Sequence, residues 1–108
     1  MSLYAALRLP VLVARDDGWC VYLLHCRNGA LYCGISNQPA ARFAAHAAGK
    51  GAKFTRMNPP LEMRLVYCGL SRSEALRLEP RIKRLNAAQK RRLWAEAALC
   101  IAQEETER

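Results

Sequence analysis

The chain has 108 residues, enough for one domain with a single core and too few for two. Apolar residues make up 52% of it, which excludes a disordered tail, and no apolar run reaches the roughly 18 residues needed to span a membrane. Lys and Arg number 17 against 9 Asp and Glu, giving a net charge of +8 and a pI near 9.7; this points to an anionic partner, nucleic acid ahead of a membrane surface, with a solvated basic surface as the alternative.

Residues 1–17 include an apolar-rich segment, Leu3 to Ala14, that lacks a basic start and is interrupted by Arg8 and Pro10. It is a poor secretory signal and is expected to be a flexible extension or a loosely docked arm. One domain is expected over residues 18–102, followed by a polar tail, residues 103–108, that frays. Two β-rich runs open the domain, Cys20-Val21-Tyr22-Leu23-Leu24 and Leu31-Tyr32-Cys33-Gly34-Ile35. The turn pair Asn28-Gly29 lies between them, so they predict a β-hairpin that brings Tyr22 and Tyr32 onto neighbouring strands.

Asn37 is placed to cap a helix with Pro39 in its first turn, running to about Ala48 and stopped by Gly49. Ala40, Phe43, Ala44 and Ala47 form its apolar stripe, and Arg42 and His46, one turn apart, share another face. Residues 49–60 predict a basic loop rich in Gly and Pro, carrying Lys50, Lys53 and Arg56. A third strand is expected over Glu62–Gly69. Ser71 with Glu74 forms a capping box for a helix from Arg72 to about Arg84, whose apolar stripe is Ala75, Leu78, Ile82 and Leu85. Asn86 with Gln89 caps a last helix, Ala87 to about Ala102. The order β-β-α-β-α-α predicts an α/β (α+β) fold, a small three-stranded antiparallel or mixed sheet that helices must cover.

Five cysteines, an odd number without metal-ligand spacing, predict reduced core thiols in a cytoplasmic protein. Glu79 lies on or beside the buried stripe, where a carboxylate needs a cation; a structural ion pair with Arg42 or Arg81 and a functional role both remain open. Arg42 and His46 suit either a solvated face or phosphate binding, since guanidinium donates bidentate hydrogen bonds and imidazole relays protons. Tyr22 and Tyr32 are ordinary strand residues unless a cation stabilises a phenolate or a phenol orients water. The span Arg72 to Arg92, including Arg81, Lys83 and Arg84, forms a second basic cluster suited to a phosphate backbone.

Together these residues resemble the GIY-YIG nuclease family, in particular its small stand-alone bacterial members. Cys20-Val21-Tyr22 stands at GIY and Tyr32-Cys33-Gly34 at YIG, with both tyrosines and the second glycine kept. Arg42 and His46 match the catalytic arginine and its helix partner, and Glu79 matches the metal-binding glutamate. The sequence departs from the pattern at Cys20, Val21 and Cys33, and Pro80 directly after Glu79 threatens to break or kink its helix.

The resemblance implies a three-stranded antiparallel sheet flanked by helices, and phosphodiester hydrolysis with one divalent cation, Mg²⁺ or Mn²⁺, held by Glu79. It implies catalytic roles for Tyr22, Tyr32, Arg42, His46 and Glu79. Lys50, Lys53, Arg56, Arg81, Lys83 and Arg84 would then meet DNA, in a DNA-processing or repair role. No separate recognition domain is evident, so selection by DNA shape (branched, nicked or single-stranded) or targeting by a partner protein is expected, with no membrane association. A binding module that kept the fold and lost turnover is the alternative, and a structural or interaction domain the third.

Overall fold

The computed structural model describes residues 3–9, 18–97 and 99–102. Helix α1 (Leu3–Ala6) precedes strands β1 (Trp19–Cys26) and β2 (Leu31–Ser36). There follow α2 (Pro39–Ala47), α3 (Lys53–Met57), β3 (Pro60–Leu70), α4 (Arg72–Lys83), α5 (Ala87–Glu96) and β4 (Leu99–Ala102). An antiparallel three-stranded sheet, β2-β1-β3, is flanked by helices as expected, and β4 extends it along the outer edge of β3.

The hairpin forms where the Asn-Gly pair places it. Asn28 Oδ1 accepts from Ala30 N at 3.0 Å, and Gly29 takes a φ of +88° that other side chains resist. Gly34 is needed for a different reason. It pairs with Tyr22 in the β1–β2 register, and a Cβ there would overlap the Tyr22 ring.

Both capping boxes close. Ser71 Oγ accepts from Glu74 N at 3.1 Å while Glu74 Oε1 accepts from Ser71 N at 2.7 Å. Asn86 and Gln89 do the same at 2.8 and 3.0 Å. Helix α4 runs through Pro80 to Lys83, so the break that Pro80 threatened does not occur. Its missing N–H removes one bond, and the next turn resumes with Arg84 N on Pro80 O at 3.1 Å.

Four expectations are corrected. The cap of α2 is Gln38 rather than Asn37, without a side-chain bond; Ser36 Oγ instead accepts from Gln38 N at 2.9 Å. The buried side of α2 holds Phe43 and His46, while Ala40 and Ala44 are exposed, because His46 finds polar partners inside. Within the stretch expected to be loop, residues 53–57 form α3. The last helix ends at Glu96, and Leu99–Ala102 pairs with β3 instead of continuing it; an open sheet edge offers backbone partners that a lone helix end lacks.

The core divides across the sheet. On one face Val21, Leu23, Leu78, Ile82 and Leu93 pack under α4 and α5. On the other Tyr22, Leu24, Phe43, Met63 and Leu65 pack under α2. Residues 3–9 dock on the first face: Leu7 and Leu9 are buried, and Tyr4 Oη donates to Val66 O at 2.6 Å. Arg81 donates to the Arg8 carbonyl. Residues 10–17 and 103–108 lie outside the described residues. Cys20, Cys26 and Cys33 are buried free thiols, and Cys68 is a half-buried one.

Candidate active site

Strand β1 turns Tyr22 toward α2, and β2 brings Tyr32 to the same face through the diagonal of the register, Tyr22 opposite Gly34 and Leu24 opposite Tyr32. Helix α2 places His46 over both rings, with centroids 6.0 Å from Tyr22 and 5.9 Å from Tyr32. Tyr22 Oη lies 3.0 Å from His46 Nε2. On the imidazole's far side, Nδ1 lies 2.8 Å from Thr55 Oγ1 on α3. Tyr22 is 2% exposed and His46 1%.

Arg42, one turn before His46, is exposed, so the two residues do not share one environment. Its positive charge acts on the Tyr22 hydroxyl and works to lower that phenol's pKa. Burial pushes the Tyr22 phenol up to about 12, and the neighbouring Arg42 cation offsets only part of that. Burial, and secondarily Arg42, lowers the pKa of His46. The pair is therefore a protonated phenol beside a neutral imidazole at neutral pH, next to an exposed cation.

Tyr32 is half-buried and stacks on Phe54, at 5.6 Å between centroids and 12° between planes. Phe54 is itself partly open to solvent on α3. Lys50, Lys53 and Arg56, in the same stretch of chain, are exposed. Gly51 fits because a Cβ there would overlap the His46 ring.

Glu79 lies on α4, which packs on β2 from the other face through Leu78 and Ile82. Its carboxylate raises the Cys33 thiol, which burial above all pushes up to about 12. Cys33 follows Tyr32 on the strand, so their side chains point to opposite faces. The ion pair expected for Glu79 forms with Lys83, Oε2 to Nζ at 3.4 Å, rather than with Arg42 or Arg81. The fold thus gathers Tyr22, Tyr32, Arg42 and His46, while α4, the helix that carries Glu79, packs against the opposite face of the sheet. Arg84 is exposed at the end of α4.

The sequence reading missed Thr55, which is fully buried. It lies in a stretch whose Gly and Pro content predicts loop, and its one signal is a buried hydroxyl's need for a partner. Among the described residues no three His, Cys, Asp or Glu side chains converge as a metal cage. Glu79 alone still fits a magnesium-like ion. Its carboxylate is part-exposed, and such ions are held through one or two carboxylates, substrate phosphate and water. Among the described residues no helix is long and apolar enough to cross a membrane.

The GIY-YIG catalytic domain matches the chain over residues 18–92. A UPF0213 protein of Neisseria meningitidis serogroup A is 54% identical over 81 residues, covering 75% of this chain and 89% of that protein. A UPF0213 protein of Cupriavidus pinatubonensis is 49% identical over 72 residues, covering 67% of this chain and 80% of its own. One of Pseudomonas aeruginosa is 47% identical over 75 residues, covering 69% and 72%. No solved structure matches the chain.

Proposed function

The chain belongs to the GIY-YIG family, and we propose from that premise that it is a metal-dependent DNA endonuclease hydrolysing phosphodiester bonds in the cytoplasm. The observation that carries the proposal is the Tyr22–His46 hydrogen bond beside Arg42. A phenol alone is a poor base at neutral pH. A phenol whose proton can pass to a neutral imidazole can accept one from water in the same step.

Tyr22 serves as that relay, with His46 the final acceptor. Arg42, exposed and acting by its charge on the Tyr22 hydroxyl, holds the scissile phosphate and offsets its developing charge. Tyr32, half-buried and stacked on Phe54, positions the water. Glu79 holds a divalent cation, Mg²⁺ or Mn²⁺, which when bound supplies positive charge for the leaving oxygen. Lys50, Lys53 and Arg56, with Arg81, Lys83 and Arg84 on α4, line the DNA backbone. Selection by branched, nicked or single-stranded form, or delivery by a partner protein, supplies the target. Residues 18–102 form the catalytic unit.

A second reading, a nucleic-acid-binding module without turnover, is favoured by the ion pair of Glu79 with Lys83. Cleavage of branched, nicked, linear and single-stranded DNAs with Mg²⁺ or Mn²⁺ separates the two. Metal-dependent cleavage that falls about 10²–10⁴-fold in Tyr22→Phe and in Glu79→Gln is the result expected of the enzyme. Salt-sensitive binding with no cleavage of any substrate would establish the second reading instead.

A further inference from the structure

We infer that Thr55 is a positioning residue that holds His46 in the Nδ1-protonated form, so that Nε2 presents a lone pair to the Tyr22 hydroxyl. The inference rests on the Tyr22–His46 relay and adds the residue that sets its direction.

Thr55 is 0% exposed, and its hydroxyl has two neighbours, His46 Nδ1 at 2.8 Å and Ala52 O at 2.9 Å. A carbonyl can only accept, and a hydroxyl has one proton. Thr55 therefore donates to Ala52 O, and the contact with His46 must be Nδ1–H donating to Thr55 Oγ1. The other ring nitrogen is then an acceptor, because a neutral imidazole carries one N–H. Tyr22 Oη, 3.0 Å away, donates to it.

The cation beside the phenol favours the same direction. The charge of Arg42 draws negative charge onto the Tyr22 oxygen, which suits a hydroxyl that donates its proton to His46. The polarity of the string is fixed by the Ala52 carbonyl, which cannot donate.

The chemistry of the orienting group also matters. A carboxylate at this position would favour the imidazolium and raise the His46 pKa. A threonine orients the ring without charge, so His46 stays neutral and able to take a proton. The site is built to keep this contact. Ala52 caps α3 in an extended conformation, its carbonyl also accepts from Thr55 N at 3.1 Å, and Gly51 leaves room for the imidazole.

The test reads the tautomer without substrate. Two-bond ¹H–¹⁵N spectra of the full ¹⁵N-labelled chain resolve its two histidines, with His25→Gln assigning the other. The expected wild-type pattern is a protonated Nδ1 and a bare Nε2 at His46, unchanged in Thr55→Ser and moved toward Nε2–H in Thr55→Val. A wild-type proton on Nε2, or an unaltered tautomer in Thr55→Val, would overturn the assignment. If Thr55→Val does not fold, the wild-type spectrum and a Thr55→Ala and Thr55→Ser pair decide it. On a substrate that is cleaved, Thr55→Val lowers kcat by tenfold or more with KM unchanged, and Thr55→Ser restores it. A chain that cleaves nothing but shows the Nδ1–H tautomer would sink the nuclease reading and leave the role of Thr55 standing.

Discussion

Under α4 and α5 the sheet buries Val21, Leu23, Leu78, Ile82 and Leu93, whereas under α2 and α3 it buries a phenol, an imidazole and a threonine hydroxyl beside its apolar residues. The first face is held by area removed from water, without regard to direction. The second is held in part by hydrogen bonds with fixed donors and acceptors, and a buried network of that kind is costly when one member is lost. A fold this small accommodates such a network because the apolar face, with docked residues 3–9 adding Leu7 and Leu9, supplies burial elsewhere. Specific chemistry and bulk stability are thus assigned to opposite sides of one sheet.

Substitutions on each face sharpen that contrast. Leu93→Ala leaves a cavity under α5 and should cost about 2–5 kcal/mol in denaturant unfolding, while the tautomer of His46 stays as it was. A change in the His46 spectrum of this variant would show that the two faces are not separable. Gly34→Ala adds a methyl that falls on the Tyr22 ring and should cost about 1–3 kcal/mol by overpacking. Unlike Leu93→Ala it should also displace Tyr22 from His46, and cleavage that survives it would detach Tyr22 from the reaction.

The smallest effect is one of pH. Burial lowers the His46 pKa in the folded protein below the roughly 6.5 of the unfolded chain. Between the two values the unfolded state binds more protons, so this contribution to stability is present above the unfolded pKa and lost as pH falls toward the folded one. Urea unfolding at about pH 7.5 and about pH 5.5 should show a larger acid loss for wild type than for His46→Gln. Equal losses would place the acid sensitivity in another group.

Legibility followed the same division. The apolar stripe Ala75, Leu78, Ile82 of α4 and both capping boxes were readable because they are local, set by residues three or four apart. The hairpin was readable from Asn28-Gly29 for the same reason. The buried side of helix α2 is not legible locally, since an alanine stripe outscores a histidine on hydropathy while His46 has both nitrogens satisfied inside. Helix α3 is too short to be stable alone and carries no period to detect. The need of Glu79 for a cation is legible from its place beside the apolar stripe, but its partner is not, since several Lys and Arg lie within reach and only the folded helix selects Lys83, four residues on.

By itself, then, the amino-acid sequence determined the order of the main strands and helices, their caps, the basic surface and the residue pattern shared with the GIY-YIG family. Those features depend on spacing along the chain or on composition. Only the tertiary structure decided that His46 faces inward, that Thr55 meets it, that Gly34 and Gly51 clear space for two rings, and that α4, with Glu79, packs on the far face of the sheet. Each of these is a contact between segments whose relative placement no local rule encodes, because it follows from how the helices pack on a twisted sheet.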